Sequence, residues 1–330
     1  MHVKLLSAPQ DLQAYDRWVK AHPHGSLWQS LEWKGYQETL GREVRIYRAT
    51  ALPGNYATAL VVIDRTRFGL STWEIPRGPL VKITNHQLAP SGVEGSPITN
   101  VLLEKIIEDA RQDRCMSLYF SSPQTFHSSR SERLMMPEAT RIIDLSTSEE
   151  EILAHMKPKG RYNIHIAERH GVHVERSEDI ESFIALAKQT SMRQGFTLSP
   201  AGQYRAFLKY LPGSFLLLAH AGGSNSPISG LLGIVWGKTG IYYYGASDST
   251  CGQKMAPYLL QWESIREAKR RGMKYYDLGG VSINPPKAEC AGFTRFKQGF
   301  GGELVNFGET YDVIFLPVWY KLYITFRRIK

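Results

Sequence analysis

The chain has 330 residues, 42% of them hydrophobic and 11% aromatic, which is enough apolar material for a substantial core and excludes wholesale disorder. Its 40 Lys and Arg against 31 Asp and Glu leave a formal charge of +9, which suits a polyanionic partner if clustered and means only solubility if spread evenly. No apolar run approaches the ~20 residues that span a bilayer, and no apolar signal segment follows Met1. Cys115, Cys251 and Cys290 are too few and too far apart for a disulfide framework or a zinc knuckle, so a cytoplasmic setting is expected.

In chain order, 58–64 and 70–75 read as neighbouring strands, 85–100 as a surface loop, 101–114 as a helix and 116–120 as a strand. Residues 140–148 read as a strand feeding a helix, with Ser148 as the cap and Glu149, Glu150 and Glu151 as acids in the first turn. A domain boundary is expected there, separating 1–145 from 146–312. After Pro158 a helix would set Lys157, Arg161, His165 and Arg169 at spacings of four along one cationic face. Such a face is either solvated or made for phosphate, and only Glu168 offsets its charge. Strands follow at 215–220, 229–236 and 240–244, with 221–227 as a hairpin tip. Tyr242 and Tyr244, alternating on a strand, would share one face. The helix 257–271 has Pro257 at its start, Lys269, Arg270 and Arg271 at its negative end and Gly272 as its cap; a strand at 274–278 follows.

The unit strand–strand–helix–strand therefore occurs twice. Leu102, Leu103, Ile106 and Ala110 of the first helix recur as Leu259, Leu260, Ile265 and Ala268 of the second. Two α/β halves of like topology are expected. Near the end, Phe296-Lys297 lies between a breaker-rich loop at 285–292 and the glycines 299, 301 and 302. Mobile backbone there would let an ammonium approach a substrate; the bland alternative is a surface lysine after a core phenylalanine.

Several landmarks occur in one order: Pro-Arg-Gly-Pro at 76–79, TRIIDL at 140–145, Lys159-Gly160-Arg161-Tyr162-Asn163, Arg193-Gln194-Gly195-Phe196, Tyr242-Tyr243-Tyr244-Gly245-Ala246-Ser247, Ala256-Pro257-Tyr258, Tyr276-Asp277-Leu278-Gly279-Gly280 and Phe296-Lys297-Gln298-Gly299-Phe300-Gly301-Gly302. The set resembles the Fem family of tRNA-dependent aminoacyltransferases, in the compact form without a coiled-coil insertion. That resemblance implies an α/β (α+β) fold of two tandem GNAT-like acyltransferase domains with mixed central sheets, the segment 313–330 returning to complete domain 1. It implies a transferase that needs no cofactor or metal. The donor would be aminoacyl-tRNA and the acceptor the stem peptide of UDP-MurNAc-pentapeptide or lipid II, with peripheral contact at the inner membrane surface and no role for DNA. By the same resemblance Lys297 stabilises the oxyanion and Phe296 forms the wall beside it. Arg193 and Lys34 bind acceptor phosphates, Tyr242 and Tyr244 face the acceptor, and Arg161, His165 and Arg169 contact tRNA phosphates. In one place the chain departs from the pattern: Ser121 stands where compact relatives carry Asp, and serine is no base near neutral pH, so either base catalysis is dispensable or substrate-assisted, or another carboxylate such as Asp248 or Glu303 substitutes.

Three rival readings each demand a feature of their own. A coenzyme-A acyltransferase needs a glycine-rich pyrophosphate turn, and Gln253-Lys254-Met255-Ala256-Pro257-Tyr258 has a proline and a tyrosine where backbone amides should approach. A non-enzymatic RNA-binding protein would show aromatics interleaved with cations on a sheet. A zinc hydrolase would need more than His165, His170 and His173, which lack a His-Glu-x-x-His pattern.

Overall fold

The computed structural model describes the chain except residues 52–53, 83–95, 123–128, 132–136, 223–225, 284–290 and 330. Most of the expected loops at 85–100 and 285–292 lie outside the described residues; the former ends inside a helix that starts at Pro97. The chain divides into two compact units, Met1–Glu138 with Asn306–Lys330, and Ala139–Val305.

The first unit is built from β1 (His2–Leu5), α1 (Pro9–Ala21), α2 (Leu31–Thr39), β2 (Glu43–Thr50), β3 (Tyr56–Arg65), β4 (Ser71–Ile75), β5 (Leu80–Lys82), α3 (Pro97–Gln112), β6 (Cys115–Ser122) and β7 (Ser129–Arg130). The second holds β8 (Ala139–Asp144), α4 (Glu149–His155), α5 (Pro158–Arg169), β9 (His173–Ser177), α6 (Ile180–Gln194), α7 (Ala201–Tyr210), β10 (Ser214–His220), β11 (Pro227–Trp236), β12 (Thr239–Ser247), α8 (Ala256–Arg270), β13 (Tyr275–Val281), α9 (Ala291–Gln298) and β14 (Glu303–Asn306). The chain then returns to the first unit with β15 (Glu309–Ile314) and α10 (Pro317–Ile329).

The eight-stranded sheet of the first unit runs β1-β2-β3-β4-β6-β15-β7, with β5 beside β3. The seven-stranded sheet of the second runs β14-β8-β13-β12-β11-β10-β9. Each contains a parallel pair, β4 with β6 and β12 with β13, bridged by α3 and α8 respectively. Both sheets are thus mixed, as the repeated strand–strand–helix–strand pattern implies. The domain limits differ from those expected. Residues 139–144 pair as β8 with β13 and belong to the second unit, and β15, which starts at Glu309, already pairs with β6 of the first.

The apolar residues that defined the repeat all turn inward. Leu102, Leu103, Ile106 and Ala110 pack in the first core with Trp73 and Phe120, and Leu259, Leu260, Ile265 and Ala268 in the second with Phe215 and Tyr276. Ser148 and Glu151 form a reciprocal capping box on α4, and Gly195 closes α6 in the left-handed region at φ 70°. On β11, Gly233 leaves room for Phe215: a Cβ there would stand 2.4 Å from the ring. Gly233→Ala is expected to cost ~1–3 kcal/mol through overpacking, read as a lower midpoint in urea unfolding with an unchanged slope.

Candidate active site

The second sheet parts in its middle. β12 and β13 are paired only from Thr239 to Ile241 against Tyr275 to Asp277, although β12 continues to Ser247 and β13 to Val281. Two local irregularities mark the parting. On β12 the register with β11 slips between Leu232 and Gly233, so that Tyr244 opposes Leu232, Tyr242 opposes Gly233, and Tyr243 is the extra residue of a bulge. On β13 the register with β8 slips between Asp277 and Gly280, and Gly279 adopts φ 72°.

Lys297 enters this region from α9. It is 9% exposed, and its Nζ donates to the Gly280 carbonyl at 2.8 Å. The ammonium lies 5.3 Å from the ring centres of both Tyr242 and Phe293, a cation–π setting that favours the charged amine in a desolvated place. Burial pushes the Tyr242 hydroxyl up to about 12, so near neutral pH it is a phenol, not a phenolate. A Cβ on Gly245 would stand 1.9 Å from that hydroxyl, and one on Gly279 would stand 2.9 Å from the Tyr242 carbonyl and 3.2 Å from Lys297 Nζ. Glycine at these two positions is therefore a condition of the geometry.

The bulge separates the two tyrosines expected on one face. Tyr242 turns to the side of Lys297 and the α8 core. Tyr244 turns to α7, packing edge-on against Tyr204 and Phe207 while its hydroxyl accepts from Gln203 Nε2 at 3.0 Å. Phe296 faces Tyr258 and Phe300 at 5.0 and 5.2 Å and so anchors α9; the ring beside the ammonium is that of Phe293, one helical turn earlier.

The expected mobile backbone around Gly299, Gly301 and Gly302 is instead closely packed, because these glycines let main chains meet. A Cβ on Gly160 would stand 2.4 Å from the Gly299 carbonyl, which also accepts from Lys157 N at 3.0 Å. Gly301 and Gly302 lie against the carbonyls of His155 and Ile142, and Phe300 between them and Gly299 is 1% exposed. The start of α5 thus holds the loop that follows Lys297.

On α5 the guanidinium of Arg161 turns back to the carbonyls of Leu153, Ala154 and Met156, capping α4. His165 pairs with Glu168 at 2.9 Å, and Arg169 lies 5.9 Å from the Tyr162 ring. Lys157, Lys159 and Arg169 are exposed. Arg193, in the last turn of α6, donates to the Ser247 carbonyl at 3.0 Å, which tethers it to the far end of β12. In the first unit Lys34 pairs with Glu38 one turn along α2. Of the substitute carboxylates, Asp248 accepts from Thr250 N and Oγ1 at 2.8 Å each, and Glu303 is exposed on β14. Ser121 is buried on β6 opposite Thr310.

Two residues with no role expected from the sequence stand out. Asp277 and Thr140, both buried, meet behind Gly279. An acid inside an otherwise apolar strand, just before Leu-Gly-Gly, was the available signal.

Two mixed sheets, each with a βαβ crossover, make a tandem GNAT-like fold, and solved structures of that architecture are similar. FemX superposes with a TM-score of 0.73 at 19% identity, covering 98% of this chain and 99% of that one. A tandem GNAT protein from the clavulanic acid biosynthesis pathway gives 0.57 at 10% identity, covering 95% and 98%. The FemAB family profile matches residues 11–94, 124–222 and 217–328, and the chain belongs to the FemAB family. Among relatives, the lipid II:glycine glycyltransferase of Staphylococcus haemolyticus is 23% identical over 394 positions, covering 94% of this chain and 93% of that protein. Aminoacyltransferase FemA of Staphylococcus aureus is 32% identical over 92 residues, 27% of this chain and 22% of that protein.

The contact between Gly245 and Tyr242 can be tested. Gly245→Ala is expected to lose ~1–3 kcal/mol in urea unfolding, and adding Tyr242→Phe should restore part of it by removing the hydroxyl that the new methyl meets.

Proposed function

We propose that the chain is an aminoacyltransferase of peptidoglycan bridge synthesis, moving an amino acid from the ester of an aminoacyl-tRNA to an amine on the stem peptide of UDP-MurNAc-pentapeptide or lipid II. The observation that carries the reading is the Lys297 ammonium, desolvated between two rings where β12 and β13 part. When the stem amine attacks, negative charge develops on the ester carbonyl oxygen, and a preorganised cation in a water-poor site is worth most at that moment, ~3–4 kcal/mol for one such donor. The new C–N bond forms as the ester C–O bond breaks. The proton shed by the amine is taken up by the departing ribose oxygen, so no side-chain base is needed where Ser121 stands.

The exposed cations Lys157, Lys159 and Arg169 suit the tRNA backbone. His165 is a weaker candidate because it pairs with Glu168, and Arg161 supports the role indirectly through α4. Arg193, held by Ser247, is suited to the diphosphate of the acceptor. For a lipid-linked acceptor, Val318, Trp319 and Leu322 on α10, which are 71%, 50% and 45% exposed, suit contact with the membrane surface where such an acceptor resides. Coenzyme A fits less well. The amides of Lys254, Met255 and Tyr258 already donate within the turn at 252–258, and Pro257 has none to offer.

Incubation with a pool of charged tRNAs and either acceptor should yield a precursor heavier by one amino-acid residue in the mass spectrum. Transfer from acetyl-CoA with none from tRNA would overturn the reading. Lys297→Met should lower turnover on the order of a hundredfold with little change in acceptor affinity. Arg193→Ala should instead weaken binding of UDP-MurNAc-pentapeptide and flatten its salt dependence; an unaltered affinity would remove Arg193 from the acceptor site.

A further inference from the structure

The carbonyl that meets the Lys297 ammonium is that of Gly280, where β13 has left β12 and rejoins β8 after a slip in register. Between Asp277 and Gly280 the pairing with β8 slips, and Gly279 takes φ 72°. A glycine freed from a ladder has many conformations open to it, yet this one is held at both of its peptide groups. Its N–H donates to Asp277 Oδ1 at 2.7 Å, and its carbonyl lies 2.8 Å from Thr140 Oγ1. Thr140 Oγ1 also meets the same Asp277 oxygen, so its one hydroxyl proton is shared between the carboxylate and the Gly279 carbonyl. Asp277 is 6% exposed and Thr140 1%, so the clamp is shielded from water, where hydrogen bonds hold geometry best.

Asp277 engages the bend directly, through its Oδ1. In the strand register it sits opposite Ile241, whereas its neighbours Tyr276 and Leu278 belong to the α8 core on the other face of the sheet. Its effect reaches the amine through the backbone. The carboxylate bends the chain at Gly279, and the bend presents the Gly280 carbonyl to Lys297 Nζ. A strand meant only to fill a sheet would carry a β-branched residue at such a buried position. A carboxylate is expensive there and is retained for the two donors it gathers.

We propose that Asp277 is a positioning residue for Lys297, acting with Thr140 through the bend at Gly279; this rests on the reading of Lys297 as the cation that stabilises the oxyanion. The role proposed is that of an oxygen acceptor for the Gly279 N–H and the Thr140 hydroxyl. Asn, which keeps the oxygen, should therefore serve where Ala cannot.

The test measures steady-state transfer from charged tRNA in the full chain, with kcat and acceptor KM determined separately. Asp277→Ala is expected to lower kcat about 30-fold and leave KM within about twofold, while Asp277→Asn stays within about threefold of the parent. Combined with Lys297→Met, Asp277→Ala should add no further loss, because its effect runs through the amine that is already gone. Multiplying losses in the double variant, or an Asn variant as slow as the Ala variant, would overturn the proposal. So would a slow Lys297→Met beside a normal Asp277→Ala, with the Lys297 reading left standing; a normal Lys297→Met would sink both. Should Asp277→Ala not fold, Thr140→Val carries the same test. A fall in kcat of about fivefold that disappears in the Lys297→Met background supports the clamp, and an unchanged kcat overturns it.

Discussion

Taking a primary ammonium out of water is costly unless its surroundings replace the lost solvation, and the second unit is arranged around one that has been so removed. Lys297 receives a carbonyl from β13, one ring from β12 and another from its own helix. Each partner depends on a break in regular structure. The carbonyl needs the left-handed turn at Gly279, the Tyr242 ring needs the bulge at Tyr243, and its hydroxyl needs the missing side chain of Gly245. Two of the register slips of the sheet thus fall where the cation sits, as expected when a fold gives up ladder bonds to shape a site.

The repeat sharpens the contrast between the units. Both carry a parallel strand pair bridged by a helix, but in the first unit β4 is paired along its whole length, from Ser71 to Ile75. In the second the corresponding pair opens after three residues of β12. The same topology therefore gives a closed sheet in one unit and a parted one in the other. The difference arises from a few glycines and one extra tyrosine, not from a change of fold.

Much of this was legible in the sequence because burial imposes periodicity. The inward faces of α3 and α8, the cap at Ser148 and the start of α5 at Pro158 follow from spacing and local chemistry alone. What spacing cannot carry is a change of register. Alternation assigns Tyr242 and Tyr244 to one face, and only the pairing with β11, which is non-local, inserts the bulge that separates them. Glycine clusters are equally ambiguous. Gly299, Gly301 and Gly302 suggest freedom, but main chains from α4, α5 and β8 come to rest on them, which makes them points of contact. Phe293 flanks the amine because a helix brings together residues four apart, a proximity that the adjacency of Phe296 and Lys297 in linear order does not reveal. Arg161 shows the same limit: its spacing marks it as part of a charged face, while the carbonyl end of α4, invisible in linear order, claims its guanidinium.

The return of the chain through β15 has a bearing on biosynthesis. β6 gains its neighbour on one side from β4, only a short way upstream, but its neighbour on the other comes from Glu309–Ile314, made only after the whole second unit. Until they emerge, the nascent first unit presents an unsatisfied strand edge, the kind of surface that invites wrong partners. The second unit is continuous from Ala139 to Val305 and owes nothing to later sequence. Translation therefore completes the inner unit first and the outer one last, the reverse of simple N-to-C order, and a ribosome-associated holdase would find its most persistent target in the amino-terminal half.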